Sequence, residues 1–380
     1  MTSRLRASLA RLGAILVKEF IQIRRDRLTF AMMFGIPILQ LTLFGYAINS
    51  DPKHLPTAVR IADHGPFARS LVRALENSGY FRIVRATASE AEADWLLETG
   101  EVQFVLHIPT GFGRDVMRGA RPAVLLEADA TDPAATSNAV SALTTINRRA
   151  LDHDLDGALA SLAATPPPFE VRVQRRYNPE GLTRYNIVPG LLGVVLTMTM
   201  VVMTSLAVTR ERERGTMEAL LAMPVRPLEV MAGKILPYIL IGFLQASVIL
   251  LAARYLFDVP IAGDLGLLAL ALVLFIAANL AVGFTFSTAA ENQLQAVQMA
   301  FFFFLPSLLL SGFMFPFRGM PQWAQWLGEV LPLTHFLRIV RGILLKGNGA
   351  AEILPEIWPL LAFLLAAGTV ALLRYRQTLD

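Results

Sequence analysis

Outside one large polar insert, the chain alternates long apolar runs with short charged segments. Windows free of Asp, Glu, Lys and Arg cover residues 28–50, 185–209, 235–253, 265–290, 292–317 and 357–373. Each is close to the ~20 residues a helix needs to cross ~30 Å of hydrocarbon. Lipid offers the backbone no hydrogen-bond partner, so these windows predict helices, and Pro37, Pro189, Gly193, Pro237 and Pro306 inside them are of a kind that membrane helices tolerate. The predicted fold is a mainly α membrane protein. It has six transmembrane helices, with an α/β extracytoplasmic domain (51–184) inserted between helices 1 and 2.

The insert has a different pattern. Short apolar or alternating runs at 58–63, 81–86, 102–109, 123–129 and 169–177 read as strands. Stretches at 66–78, 89–99, 111–119 and 133–163 read as helices between them, which suggests a mixed or parallel sheet. The run Thr165-Pro166-Pro167-Pro168 punctuates the exit toward the membrane.

Half of all charged side chains fall within 51–184. The remaining positive charge sets the orientation. Arg4, Arg6, Arg11, Lys18, Arg24, Arg25 and Arg27 precede the first window, Arg210, Arg212, Arg214, Arg226 and Lys234 follow the second, and Arg374 and Arg376 follow the last. With six spans these segments share one side, which the positive-inside rule makes the cytoplasm, so both termini are expected there. The expected location is a bacterial inner membrane, with the protein crossing it several times. The net charge of +4 then reflects anchoring, and no nucleic-acid partner is expected.

Leu5, Leu9, Leu12, Leu16, Phe20 and Ile23 recur at helical spacing within 1–27. This reads as a cytoplasmic amphipathic helix lying on the inner leaflet, or as an extension of the first span. The basic residues ahead of the first apolar run argue against a cleavable signal. Segment 318–355 is apolar but broken by Pro, Gly and Arg. It reads as outer interfacial or re-entrant helices, with Trp323 and Trp326 at headgroup level, or as an extra span. Residues 374–380 form the tail.

The loop at 210–234 has its own local logic. Gly215 frees the backbone, Thr216 can cap a helix with Glu218 in its first turn, and Pro224 and Pro227 stop it. Met217, Leu220 and Leu221 share a face. Such a helix is either an ordinary capped loop or a short stiff lever joined to two spans. The run Glu211-Arg212-Glu213-Arg214-Gly215-Thr216-Met217-Glu218-Ala219-Leu220-Leu221-Ala222-Met223-Pro224 resembles the E-R-E-x-G-T-x-E-x-L…P signature of type-2 ABC exporter permeases. The order of spans and the long insert are similar to that family's long-ectodomain, multidrug-export-like bacterial branch.

The resemblance implies that this loop is the coupling helix, seated in a cleft of an ABC ATPase subunit. Glu211, Glu213, Gly215, Thr216 and Glu218 then match the signature, with Met217, Leu220, Leu221 and Pro224 as the rest of the lever. Arg212 and Arg214 either meet acids of the ATPase or act only as topological anchors. It also implies a second permease copy or paralogue, and further partners in a periplasmic adaptor and an outer-membrane channel, besides membrane lipids.

No G-x-x-x-x-G-K-[S/T] loop occurs, so the chain carries no cofactor of its own, and ATP and Mg are expected on the partner ATPase. The strand-like Val124–Asp129 reads as a core strand ending in acids. There is no cysteine, which excludes disulfides and thiol catalysis. His54, His64, His107 and His153 lie in the insert near carboxylates, but "LDHDLD" (151–156) reads as a solvated helical face rather than a metal site. No catalytic residue is identified.

Within the spans the strongly polar residues are Gln40, Asn186, Gln245, Asn279 and the cluster Asn292, Gln293, Gln295 and Gln298. No wholly intramembrane charge forms an ion relay, which argues against a proton-driven antiporter. Met198, Met200, Met203, Phe301, Phe304 and Phe313 are the candidate pathway wall, since thioethers and aromatic faces suit bulky amphiphiles. The expectation is the permease subunit of an ATP-driven exporter of drug-like or lipid-like amphiphiles. Rival readings are the same scaffold exporting polysaccharide, sodium or a lipid-linked precursor, and a membrane receptor or sensor whose outer domain binds a ligand.

Overall fold

The computed structural model describes residues 52–155, 167–213 and 227–374. The N-terminal amphipathic helix, the first predicted span and residues 214–226 of the loop lie outside these residues.

The insert forms β1 (Leu55–Ile61), α1 (Pro66–Asn77), β2 (Phe81–Ala86), α2 (Glu90–Glu98), β3 (Phe104–Ile108), α3 (Phe112–Met117), β4 (Ala123–Asp129), α4 (Pro133–Arg149) and β5 (Glu170–Arg176). The strands make one mixed sheet in the order β2-β1-β3-β4-β5, antiparallel only at β3–β4. Strand alternation sorts the two faces. Leu55, Val59, Phe104, Leu106, Val124 and Leu126 pack under α1, α3 and α4. Ala58 and Val105 point the other way, onto Ala93, Leu96 and Leu97 of α2.

Helix α4 stops at Arg149 rather than at the expected 163. Leu151 and Leu155 turn inward and are 1% exposed, so residues 151–155 fold as a turn instead of a solvated helix. The loops are tied by Asp63, whose carboxylate accepts from the Gly65 N–H and the Gly113 N–H, both at 2.8 Å. Those two backbone donors hold its pKa below the ordinary aspartate value.

After β5 a tight turn delivers the chain to the helices. Buried Asn178 both donates to the Leu182 carbonyl (3.0 Å) and accepts from the Leu182 N–H (2.9 Å). The helices are α5 (Thr183–Glu213), α6 (Pro227–Tyr255), α7 (Leu265–Ala289), α8 (Gln293–Leu310), α9 (Gln322–Val330), α10 (Pro332–Arg341) and α11 (Ala350–Arg374). A π turn, Gly342–Lys346, extends α10. Among the described residues five helices are long and apolar enough to cross a membrane: α5, α6, α7, α8 and α11.

Helix α5 runs past residue 209 to Glu213 and α6 begins at Pro227, before residue 235, while α8 and α11 depart from the charge-free windows for tertiary reasons. Helix α8 ends at Leu310, short of residue 317, because Gly312 adopts φ +83 and turns the chain into the 3-10 turn Phe317–Gly319. Helix α11 begins at Ala350, before residue 357. Glu356 does not end it, since its carboxylate is taken by Arg338 and His335 of α10.

Helix α7 is the hub, flanked by α5 and α11. Phe275 of α7 stacks on Phe336 of α10 with centroids 4.0 Å apart. Small residues allow the backbones to approach. A Cβ on Gly283 would lie 2.6 Å from the Val201 carbonyl oxygen and 2.9 Å from Thr204 Cβ. Gly283→Val is therefore expected to separate α5 from α7 and cost about 1–3 kcal/mol, read as earlier thermal unfolding of the detergent-purified protein. On α6, Leu240, Leu244, Val248 and Leu251 form an exposed apolar stripe at helical spacing. Lipid or another apolar surface is the environment that suits it.

Candidate functional site

The site begins where the "ERE" run leaves the bundle. Glu211, Arg212 and Glu213 continue α5 as its last residues. From Arg214 through Gly215, Thr216, Met217, Glu218, Leu220 and Leu221 to Pro224, the predicted coupling residues lie outside the described residues. Of the run, Glu213 shows what the sequence could not. Its carboxylate accepts from the backbone N–H of Gln293 at 2.7 Å and from the Gln293 side-chain amide.

That N–H is one of the donors left without an intrahelical partner at the start of α8. Asn292 caps the same helix by accepting from the Gln295 N–H (2.9 Å), while Gln295 Oε1 accepts from the Glu291 N–H (2.6 Å). The polar cluster at 292–295, read from sequence as intramembrane polarity, is thus a helix start with box-like capping. A carboxylate at that start is favoured by the helix dipole as well as by the two hydrogen bonds. These bonds lower the pKa of Glu213, so the side chain is anionic at neutral pH.

The result is a mechanical junction. The end of α5 is fastened to the start of α8, and α8 follows α7 after three residues. One side chain at the edge of the 214–226 segment therefore ties α5 to the α7–α8 corner. Deeper in the bundle, Thr199 of α5 donates to Gln245 of α6 at 3.0 Å. Thr209 N–H of α5 lies 3.3 Å from Ser287 Oγ of α7.

The candidate pathway residues differ in burial. Met200 and Phe304 are buried in the bundle core. Phe313 packs against that core in the space left by Gly190, where a Cβ would sit 2.4 Å from its ring. Met198, Met203 and Phe301 are exposed on α5 and α8.

A second polar assembly at the opposite end was not singled out from sequence. His335 on α10 is buried, with Nδ1 2.5 Å from Glu356 Oε2 and Nε2 2.8 Å from the Glu329 carbonyl oxygen. Arg338 donates to both Glu329 (2.6 Å) and Glu356 (3.3 Å), and lies 4.7 Å over the Phe317 ring. The available signal was spacing. His335 and Arg338 are one turn apart, as are Glu352 and Glu356, so each pair shares a helix face.

This assembly adjoins the insert. Lys346 donates to Asp129 Oδ2 (2.6 Å) and to the Leu97 carbonyl (2.8 Å). Asn348 donates to the Glu98 carbonyl (3.0 Å), and Arg318 to the Gly100 carbonyl (2.9 Å). Three side chains thus meet carbonyls at or just past the C-terminal end of α2, where the helix dipole favours cations. Around them His107 contacts Glu127 (2.9 Å), and Arg176 bridges Asp94 and Glu127. His107, Glu127, Asp129 and Arg176 share the face of the sheet opposite the α1, α3 and α4 layer.

Comparison with known proteins gives this arrangement a family. The profile described as "ABC-2 family transporter protein" matches residues 27–373. The chain is 26% identical over 367 residues to the probable multidrug ABC transporter permease YbhR of Escherichia coli K12, covering 97% of this chain and 98% of the relative. It is 29% identical over 342 residues to the probable multidrug ABC transporter permease YbhS of the same strain, covering 89% of each. It is also 30% identical over 338 residues to the inner membrane transport permease YhhJ, covering 85% of this chain and 86% of the relative. ABC-2 permeases are transport membrane subunits that work with an ABC ATPase subunit. The chain, an integral membrane protein with an α/β domain ahead of its bundle of apolar helices, belongs to the ABC-2 transporter family.

Proposed function

We propose that the chain is half of an ATP-driven exporter in the bacterial inner membrane, and that it moves drug-like or lipid-like amphiphiles outward. It has six spans, with residues 28–50 as the first, both termini in the cytoplasm, and the sheet domain outside between spans one and two. Residues 210–227 are the coupling element, seated in a separate ATPase subunit. ATP-driven movement of that subunit pushes the element and tilts α5 and α6, alternately opening a cleft formed with a second permease copy or paralogue. Met198, Met203 and Phe301, exposed on α5 and α8, form the apolar wall offered to cargo, with Met200, Phe304 and Phe313 packed behind it. The sheet domain docks a periplasmic adaptor, which passes cargo to an outer-membrane channel.

The observation that carries this reading is the Glu213–Gln293 junction, through which force on the loop reaches α5 and α8 together. The relatives named as probable multidrug permeases support an amphiphilic cargo. The test is reconstitution with the ATPase subunit in liposomes, using a fluorescent amphiphile as cargo. Dye movement that requires ATP supports the reading, and dye movement indifferent to ATP contradicts it. Sidedness is tested separately with Glu90→Cys, an exposed position in a cysteine-free chain. An impermeant thiol reagent is expected to label it from outside once the outer membrane is permeabilised. Labelling only after inner-membrane lysis would reverse the topology.

A further inference from the structure

A polar cavity of roughly 260 Å³ lies between the sheet domain and the helices it rests on, walled by α2, the end of β4, α10 and the start of α11. Arg341, the last residue of α10, lines it. Its Nη1 donates to the Gly312 carbonyl at 3.2 Å, whereas Nε and Nη2 are buried and meet no acceptor among the described residues. Those two atoms form the side-on edge of the guanidinium, the pair of donors that matches two oxygens of a carboxylate or a phosphate. Leaving a charged donor pair buried and unbonded costs free energy.

The neighbouring charges do not serve that edge. Asp129 is taken by Lys346 and by Thr131. Asp132 Oδ1 accepts from the Ala134 N–H and from Asn186. Arg338 holds Glu329 and Glu356. Arg318, an exposed residue lining the same cavity, adds a second cation that donates to the Gly100 carbonyl rather than to a carboxylate.

We propose that this cavity is a binding site for the anionic oxygen group of a ligand, a carboxylate or phosphate taken side-on by Arg341 with Arg318 nearby. Size limits what enters. Drug-sized ligands occupy pockets of about 300–1,000 Å³, so this one suits a headgroup rather than a whole amphiphile. Charge limits it further. Asp132, Glu98 and Glu352 line the same space and oppose a multiply charged anion, favouring a group with one net negative charge or a zwitterion. Two sources supply that chemistry: a lipid headgroup from the leaflet nearest the sheet domain, or a small free anion. The site lies at the end of the helices opposite the Glu213–Gln293 junction and goes beyond the transport reading. Its binding test needs no ATPase, so it stands or falls separately.

The experiment uses the full-length protein in maltoside micelles at pH 6, with phosphorus NMR line broadening as the readout. One arm titrates inorganic phosphate, and the other dihexanoyl-phosphatidylglycerol below its micelle concentration. Wild type is expected to bind at least one probe, with affinity falling about tenfold in Arg341→Gln, as for loss of hydrogen bonds to a charged group. Arg341→Lys, which keeps the charge and loses the two-donor edge, is expected to fall between them. Binding of the lipid alone assigns the site to a headgroup, and binding of phosphate assigns it to free anions; either supports the proposal. If Arg341→Gln does not fold, Arg341→Lys and the exposed Arg318→Gln decide, each expected to weaken binding several-fold. Wild type binding neither probe would overturn the proposal, as would folded variants that bind as wild type does.

Discussion

Lys346→Ala is expected to destabilise the protein by about 3–5 kcal/mol and release the sheet domain from the helices beneath it. Lys346 and Asp129 are 2.6 Å apart, with side chains 9% and 10% exposed, so the pair is nearly out of water. Removing the ammonium leaves a buried carboxylate with Thr131 as its remaining side-chain partner and strips the cap from the Leu97 carbonyl. It also removes the cation 5.3 Å from the Tyr177 ring, beside which Val188, Val259 and Leu345 pack. Thermal unfolding and hydrogen exchange at the end of α2 are the measurements. The double variant Lys346→Met with Asp129→Asn is expected to recover much of the loss, because it removes both charges together. A single variant with unchanged unfolding and unchanged protection in α2 would show that the pair does not hold the domain down.

Glu213→Ala is expected to lower ATP-dependent transport on the order of tenfold, a typical size for coupling between sites, while leaving insertion and thermal unfolding near wild type. The side chain is exposed, so its removal costs little packing. Its effect lies in detaching the end of α5 from the first turn of α8. Glu213→Gln keeps an acceptor for the Gln293 N–H and loses the charge, so it is expected to fall between alanine and wild type. The pH dependence follows from the lowered pKa. A carboxylate with a depressed folded-state pKa contributes fully above its ordinary value and loses that contribution as pH falls through the lowered one. The junction is therefore expected to hold from neutral pH into weak acid and fail only in stronger acid. Wild-type transport by Glu213→Ala would remove the junction from the mechanism.

Much of this architecture is legible in the sequence, for definable reasons. Charge-free windows mark the apolar helices because hydrocarbon penalises charge strongly. Alternation and turn residues mark the five strands. Even the buried acids of β4 follow from its period: Val124, Leu126 and Ala128 face the core, and Glu127 and Asp129 face the docking side. Helix ends were less legible where tertiary contacts intervene. Glu352 and Glu356 break the last charge-free window, yet the helix runs through them because α10 supplies His335 and Arg338 to Glu356. Hydropathy treats each charge alone and cannot see a partner twenty residues away.

The same limit applies to the candidate site. The signature pointed to Glu213, but its partner Gln293 lies 80 positions away, in a cluster that looked like intramembrane polarity. Among the described residues, only the final turn of α5 represents the coupling run. The Lys346–Asp129 and Arg318–Gly100 contacts span more than 200 positions, and no local pattern announces them.

The claim on which the rest depends is that a separate ATPase grips the segment between α5 and α6. The chain contains no cysteine, so Met217→Cys gives a single reactive position within that segment. Paired with single cysteines along the cleft of the ATPase subunit, it is expected to form a disulfide cross-link in membranes, with a yield that changes when ATP is added. An ATPase subunit that drives transport yet cross-links from no position between 214 and 226 would contradict the account.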